Sequence, residues 1–151
     1  MAEFVQSQSS QIVAAGQNLL FLDSIVCPKG YVVHRNGSGI LTLRGITGAC
    51  NPFARFEIEF TGNIAIPTGG TVAAIAAALT LNGEELQYSR AIVTPAAVEQ
   101  YFNISCKREI DVPKGCCYTL AVANVNAGVE ADIAQQAISF ADGNLGIKRI
   151  A

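Results

Sequence analysis

Tryptophan is absent, histidine occurs once, and only 15% of the 151 residues are charged, against about 25% in an ordinary soluble domain. Each shortage excludes something. One imidazole, His34, cannot supply the several inward histidines of a cupin-like metal site, and Ser-His-Asp catalysis would rest on it alone. Its place beside a turn reads as a surface position near a strand end. Ser38, in Asn-Gly-Ser-Gly-Ile, lacks the flanking pattern and the strand-to-helix setting of a nucleophile elbow. The ten Lys and Arg are scattered, with Lys107-Arg108 and Lys148-Arg149 the only adjacent pairs, so no basic, aromatic footprint for nucleic acid exists. No run approaches the ~20 apolar residues of a membrane span. The most apolar stretch, Val72 to Leu81, stops at Asn82-Gly83. The first residues carry an acid where a secretory signal has bases, and no apolar stretch follows. Synthesis in a cytoplasm without standard export is the expectation.

What is present is apolar. Half of the residues are hydrophobic, more than one domain of this length can hide, so a second copy is expected to cover part of the surface. The five cysteines, Cys27, Cys50, Cys106, Cys116 and Cys117, are odd in number and lack the paired spacing of a zinc site. Free thiols that pack as small hydrophobes are expected. Glu57 and Glu59, two apart on a strand, would lie roughly 7 Å apart, a separation paired carboxylates can use. Their alternation with Arg55 reads better as a solvated or intersubunit face. Glu130 and Asp132 with Asp142 lack the spaced acids of a calcium loop, and Gly37, Gly39, Gly45 and Gly48 lack the lysine and hydroxyl of a phosphate loop. No catalytic residue, metal ligand or cofactor site emerges.

The strongest internal signal is a repeat. Phe56, Ile58, Ile64, Ile66, Pro67 and Gly69 recur as Phe102, Ile104, Ile110, Val112, Pro113 and Gly115. Each copy reads as a strand, a link, a short alternating run, a Pro-x-Gly turn and a further apolar strand. Around the copies, turn signals recur every eight to twelve residues, the spacing of an all-β sandwich or barrel. In Ala54 to Phe60 the even positions are apolar and Arg55, Glu57 and Glu59 are charged, a half-buried strand. Val72 to Leu81 is alanine-rich yet runs into Asn82-Gly83, a two-residue hairpin signal, so it reads as strand, with Glu84 to Ile92 returning. Thr94-Pro95 reads as the start of a helical turn through Glu99. Leu145 to Ile150 reads as a short last strand. Residues 1–11, rich in Gln and Ser, read as a flexible arm with Phe4 and Val5 as an anchor, and 12–151 as one domain of eight to ten strands.

Several stretches carry a resemblance: Val33-His34-Arg35-Asn36-Gly37-Ser38-Gly39, Leu41 to Gly45, Ala54-Arg55-Phe56, Ile92 to Glu99 and Ile110 to Cys117. They resemble small proteins encoded in phages and prophages of gut Firmicutes, which are similar to the C1q/TNF-like jelly roll, including the C-terminal domain of bacterial collagen-like proteins. No Gly-x-y stalk precedes it here. The resemblance implies an all-β, double-sheet jelly roll that forms a homotrimer, with Tyr118, Leu120 and Val122 on the axial face and Tyr101 nearby. It further implies a non-enzymatic virion protein that decorates or cements a capsid. Its partners would be its own copies and the phage major capsid protein, contacted by the Phe4–Val5 arm, with no nucleic acid or membrane. The alternative is a receptor- or carbohydrate-binding head of a tail or fibre, for which Tyr31, Tyr88 and Tyr101 are the stacking candidates.

Overall fold

The computed structural model describes residues 2–6, 9–26, 30–86, 88–125 and 136–151. Twelve strands follow one another: β1 (Ala2–Val5), β2 (Gln11–Val13), β3 (Asp23–Val26), β4 (Val32–His34), β5 (Leu41–Arg44), β6 (Phe53–Ala65), β7 (Ile75–Leu81), β8 (Glu84–Glu85), β9 (Ala91–Val93), β10 (Phe102–Pro113), β11 (Cys117–Val125) and β12 (Ile138–Arg149). They form two antiparallel sheets. The first has the order β10-β6-β12-β1-β3, with β2 also on β12; the second has β4-β5-β11-β7-β8, with β9 also on β7. From β5 to β7, and again from β9 to β12, each successive strand crosses to the opposite sheet, as in a double-sheet jelly roll. Among the described residues no helix is long and apolar enough to cross a membrane.

The repeat explains one side of the first sheet and the centre of the second. Its two copies are β6 and β10, paired antiparallel so that Phe56 lies opposite Ile110 and Phe60 opposite Cys106. The strands that follow them, β7 and β11, pair in the same way in the other sheet. Both Pro-x-Gly turns close alike: Gly70 N–H donates to the Pro67 carbonyl and Cys116 N–H to that of Pro113, each at 3.0 Å. Gly69 and Gly115 take φ of 91° and 78°, which glycine alone adopts without strain. The link expected inside each copy is absent, because β6 and β10 run unbroken for 13 and 12 residues.

Alternation fills the space between the sheets. Ala54, Phe56, Ile58, Phe60 and Ile64 of β6 face Leu41, Leu43, Leu79, Leu120 and Val122 from the other sheet in one buried cluster. Phe60 meets both Phe21 and Phe140 edge to face at 6.4 Å, an arrangement aromatic quadrupoles favour. The outer face of the first sheet is charged and paired: Arg55 reaches Asp111 by two bonds of 2.7 and 3.1 Å, and Lys107 reaches Glu57 at 3.1 Å.

Five expectations need correction. Residues 2–5 are no arm: β1 lies between β12 and β3, and Phe4 is fully buried, because the alternation of Ala2, Glu3, Phe4 and Val5 turns two apolar side chains inward. His34 is no surface residue. It is half-buried, 4.7 Å from the Phe4 ring, with Nε2 on the Ser38 carbonyl at 3.0 Å and Nδ1 buried without a partner. The return strand from Glu84 is split into β8 and β9. Thr94 to Glu99 is a turn instead of helix: Glu99 takes φ of 58°, and its carboxylate accepts the Thr68 N–H at 2.9 Å. The last strand is also longer than expected, since β12 starts at Ile138 and absorbs Asp142-Gly143 as a bulge.

Candidate functional site

A well-formed concavity lies on the outer face of the second sheet. Its floor comes from the outward parity of β11 and β7, where Ala121 pairs with Thr80 and Ala123 with Ala78. Small side chains there leave the sheet bare. A wall rises on the far side of β11, because residues 16–19 hydrogen-bond to it past the end of β5: Leu19 N–H donates to the Val122 carbonyl at 2.8 Å and Asn124 N–H to that of Gln17 at 3.0 Å. Gly39 lets this wall close up, since a Cβ there would stand 2.9 Å from both Asn18 Cβ and the Leu19 carbonyl oxygen. Ile40 extends the wall, 49% exposed.

The opposite end is the β7–β8 hairpin. Asn82 and Gly83 take φ of 52° and 85°, the left-handed pair that a tight two-residue hairpin needs, as Asn-Gly predicts. Asn82 is also a clamp: its carboxamide oxygen accepts the Thr119 N–H at 2.9 Å and lies 3.3 Å from the Thr119 hydroxyl. The result is an open groove of about 390 Å³, with Asn18, Thr80, Glu85 and Thr119 as its polar side chains and Ile40, Ala121, Ala123 and Val125 as its apolar surface. Among the described residues Glu85 is its only ionisable lining residue, and Arg90 Nε donates to it at 2.6 Å. That bond makes Arg90 hold its proton more firmly than a free arginine.

The residues singled out from the sequence lie elsewhere. Leu120 and Val122 are wholly buried between the sheets, so they have no surface to offer a three-fold axis. Period-two alternation marks the buried face of a strand without telling a chain's own core from a neighbour's. Tyr118 is half-buried and packed against that core. Tyr101 is 39% exposed, and its hydroxyl bonds to Ser139 at 2.8 Å at the start of β10. Phe4, the expected capsid anchor, is core, and Val5 is half-buried in β1. The three tyrosines considered for sugar stacking are dispersed. Tyr31 lies under the Arg149 guanidinium at 4.5 Å, Tyr101 is at the opposite end of β12, and Tyr88 stands at the edge of the second sheet.

Of the acids considered for calcium, Glu130 and Asp132 lie outside the described residues, and Asp142 accepts from Asn63 at 3.3 Å. Among the described residues no group of three His, Cys, Asp or Glu is placed to hold a metal. The four described cysteines are free thiols, with Cys106 buried and Cys50 and Cys117 exposed. Cys27 lies outside the described residues. The groove itself was missed in the sequence, because its floor is defined by small side chains whose juxtaposition depends on strand order.

No known protein family matches the chain, and no characterised protein matches it in sequence. Solved structures do. The C-terminal domain of EclA, described as a sugar-binding protein, matches with a TM-score of 0.41 at 19% identity, over 94% of this chain and 80% of that one. The CBM22-1 xylan-binding domain of Paenibacillus barcinonensis Xyn10C matches with a TM-score of 0.38 at 13% identity, over 99% and 94%. An isomalto-dextranase from Arthrobacter globiformis T6, complexed with panose, matches with a TM-score of 0.33 at 9% identity, over 91% of this chain and 23% of its own. At these identities no residue's role is carried over.

Proposed function

We propose that this jelly roll is a non-catalytic carbohydrate-binding module whose groove on the second sheet takes a neutral oligosaccharide. The observation that carries the reading is the groove's lining. Two hydroxyls, a carboxamide and one carboxylate stand around an apolar floor of Ala121 and Ala123. Sugars present hydroxyls at their rims and C–H groups on their faces, so they need this mixture of hydrogen-bonding groups and apolar surface. Among the described residues no lysine or arginine lines the groove, which disfavours uronates and sialic acids, whose charge would be left unpaired. Among the described residues only one carboxylate lines it, whereas glycoside hydrolysis uses two. Calorimetric titration with neutral xylo-, gluco- and malto-oligosaccharides tests the reading, alongside a Thr119→Trp variant that fills the groove. Saturable binding to the wild type, lost in Thr119→Trp, supports it. No binding to any neutral chain would sink it.

A second reading is a C1q/TNF-like homotrimer that decorates a phage capsid. One observation favours it: Ile12, Ile25 and Val33 are each more than half exposed on a chain so poor in charge. With Phe4 in the core, attachment to a capsid would use some other surface. Copies comparable to the shell protein in purified particles would support this reading, and absence from the particle would end it.

A further inference from the structure

Tyr88 is 93% exposed and holds φ at 65°, a left-handed conformation that a bulky side chain adopts at a cost. A free loop would relax out of it, but this one is pinned on both sides. Leu86 N–H donates to the Leu79 carbonyl at 2.9 Å, and Leu86 packs against the core. Ser89 is buried, accepts the Leu79 N–H at 3.2 Å and donates to the Leu86 carbonyl at 2.7 Å. Arg90 clasps Glu85 across the whole segment. The ladder on β7 is thus interrupted between Glu85 and Ala91, and the Ser89 hydroxyl stands in for the missing backbone pair. Leu86 and Ser89 turn inward here, whereas the Tyr88 side chain adds no packing, since it touches mostly solvent. The interruption presents an aromatic ring to solvent at the sheet edge, three residues along the chain from Glu85, outside the groove's own lining.

We infer that Tyr88 is the aromatic platform of the groove, stacking on the C–H face of one sugar ring while Thr80, Thr119 and Glu85 bind hydroxyls. The inference rests on the sugar-binding reading. Aromatic rings supply contact area at little entropic cost, and strain kept at an exposed residue is expected where the residue meets a ligand.

Because the chain has no tryptophan, Tyr88→Trp introduces a single indole at the platform, and its emission reports stacking directly. With the neutral oligosaccharide that binds the wild type best, Tyr88→Trp should bind with a shift in emission. Tyr88→Phe should bind within about twofold, and Tyr88→Ala about tenfold more weakly. Tyr88→Gly should weaken binding like Tyr88→Ala while its unfolding midpoint stays level or rises, because glycine adopts this φ without strain. Wild-type affinity in Tyr88→Ala and Tyr88→Gly, with binding still abolished by Thr119→Trp, would overturn the platform and leave the groove standing. A fall in unfolding midpoint parallel to the loss of affinity in Tyr88→Gly would overturn it in favour of a structural role. If the wild type binds no neutral sugar, the sugar-binding reading fails and the platform with it.

Discussion

Phe4→Ala tests whether the first residues belong to the sheet or to a partner. The ring is fully buried, meets His34 edge to face at 4.7 Å, and lies on a strand held by β12 on one side and β3 on the other. Truncating a buried phenylalanine removes its transfer energy and leaves a cavity, together about 3–5 kcal/mol. The sandwich has little means of collapsing onto the gap, because the backbone on both sides is locked in ladders. For a chain of this length each kcal/mol shifts the unfolding midpoint by about 2–4 °C, so a drop of roughly 10–15 °C is expected. Urea unfolding should show a lower midpoint at unchanged slope, the signature of lost stability in an otherwise similar fold. Val5→Ala, at a half-buried site on the same strand, serves as the control and should cost far less. A loss under about 1 kcal/mol for Phe4→Ala would refute the reasoning, and residues 2–5 would be a mobile arm after all.

Two further predictions concern titration. Burial pushes the Cys106 thiol up from 9.0 to about 11, so a thiol reagent at pH 8 should spare it in the native protein while modifying the exposed Cys50 and Cys117. The folded value lies above the unfolded one, so the associated stability is present below pH 9 and declines as pH rises towards 11; rapid native labelling of Cys106 would contradict this. On the charged outer face, the Arg55 guanidinium holds the Asp111 carboxyl below its usual range. A carbon-detected NMR titration should show Asp111 ionising at lower pH than an isolated aspartate, with Arg55→Ala restoring the ordinary value. The pair's contribution is then present at neutral pH and lost as pH falls through the depressed pKa, whereas an unmoved titration in Arg55→Ala would show that the pair is not its cause.

The features legible in the sequence were those carried by local chemistry. Asn82-Gly83 announces a hairpin because few other pairs accept two positive φ angles, and Pro67-x-Gly69 and Pro113-x-Gly115 announce turns for a related reason. The alternation of Ala54 to Phe60 sets one face of β6 inward. Val72 to Leu81 reads as strand largely because a hairpin follows, and β7 takes up its part from Ile75 to Leu81. What stayed hidden depends on which strands become neighbours. Glu3 looks like part of a polar arm until Asn144 meets its carboxylate across β1 and β12 at 2.5 Å. Leu120 and Val122 look available for an axis until the first sheet packs over them. The groove is more hidden still. Alanine carries no signature of function, and its meaning at positions 121 and 123 comes from the wall that Gly39 allows to approach.

The pairing of Ala2 with Ile147 and of Val5 with Asn144 has a consequence for the ribosome. β1 must wait, unpaired on one flank, until the distant β12 has also emerged. Until then the first sheet lacks β12, its middle member, and β6 and β1 have no neighbour in common. Closure of the first sheet is therefore expected to be slow, as contacts of such wide sequence separation demand. In the interval Phe4 and Ala2 sit on an open edge that any other strand can take, including β12 of another nascent copy.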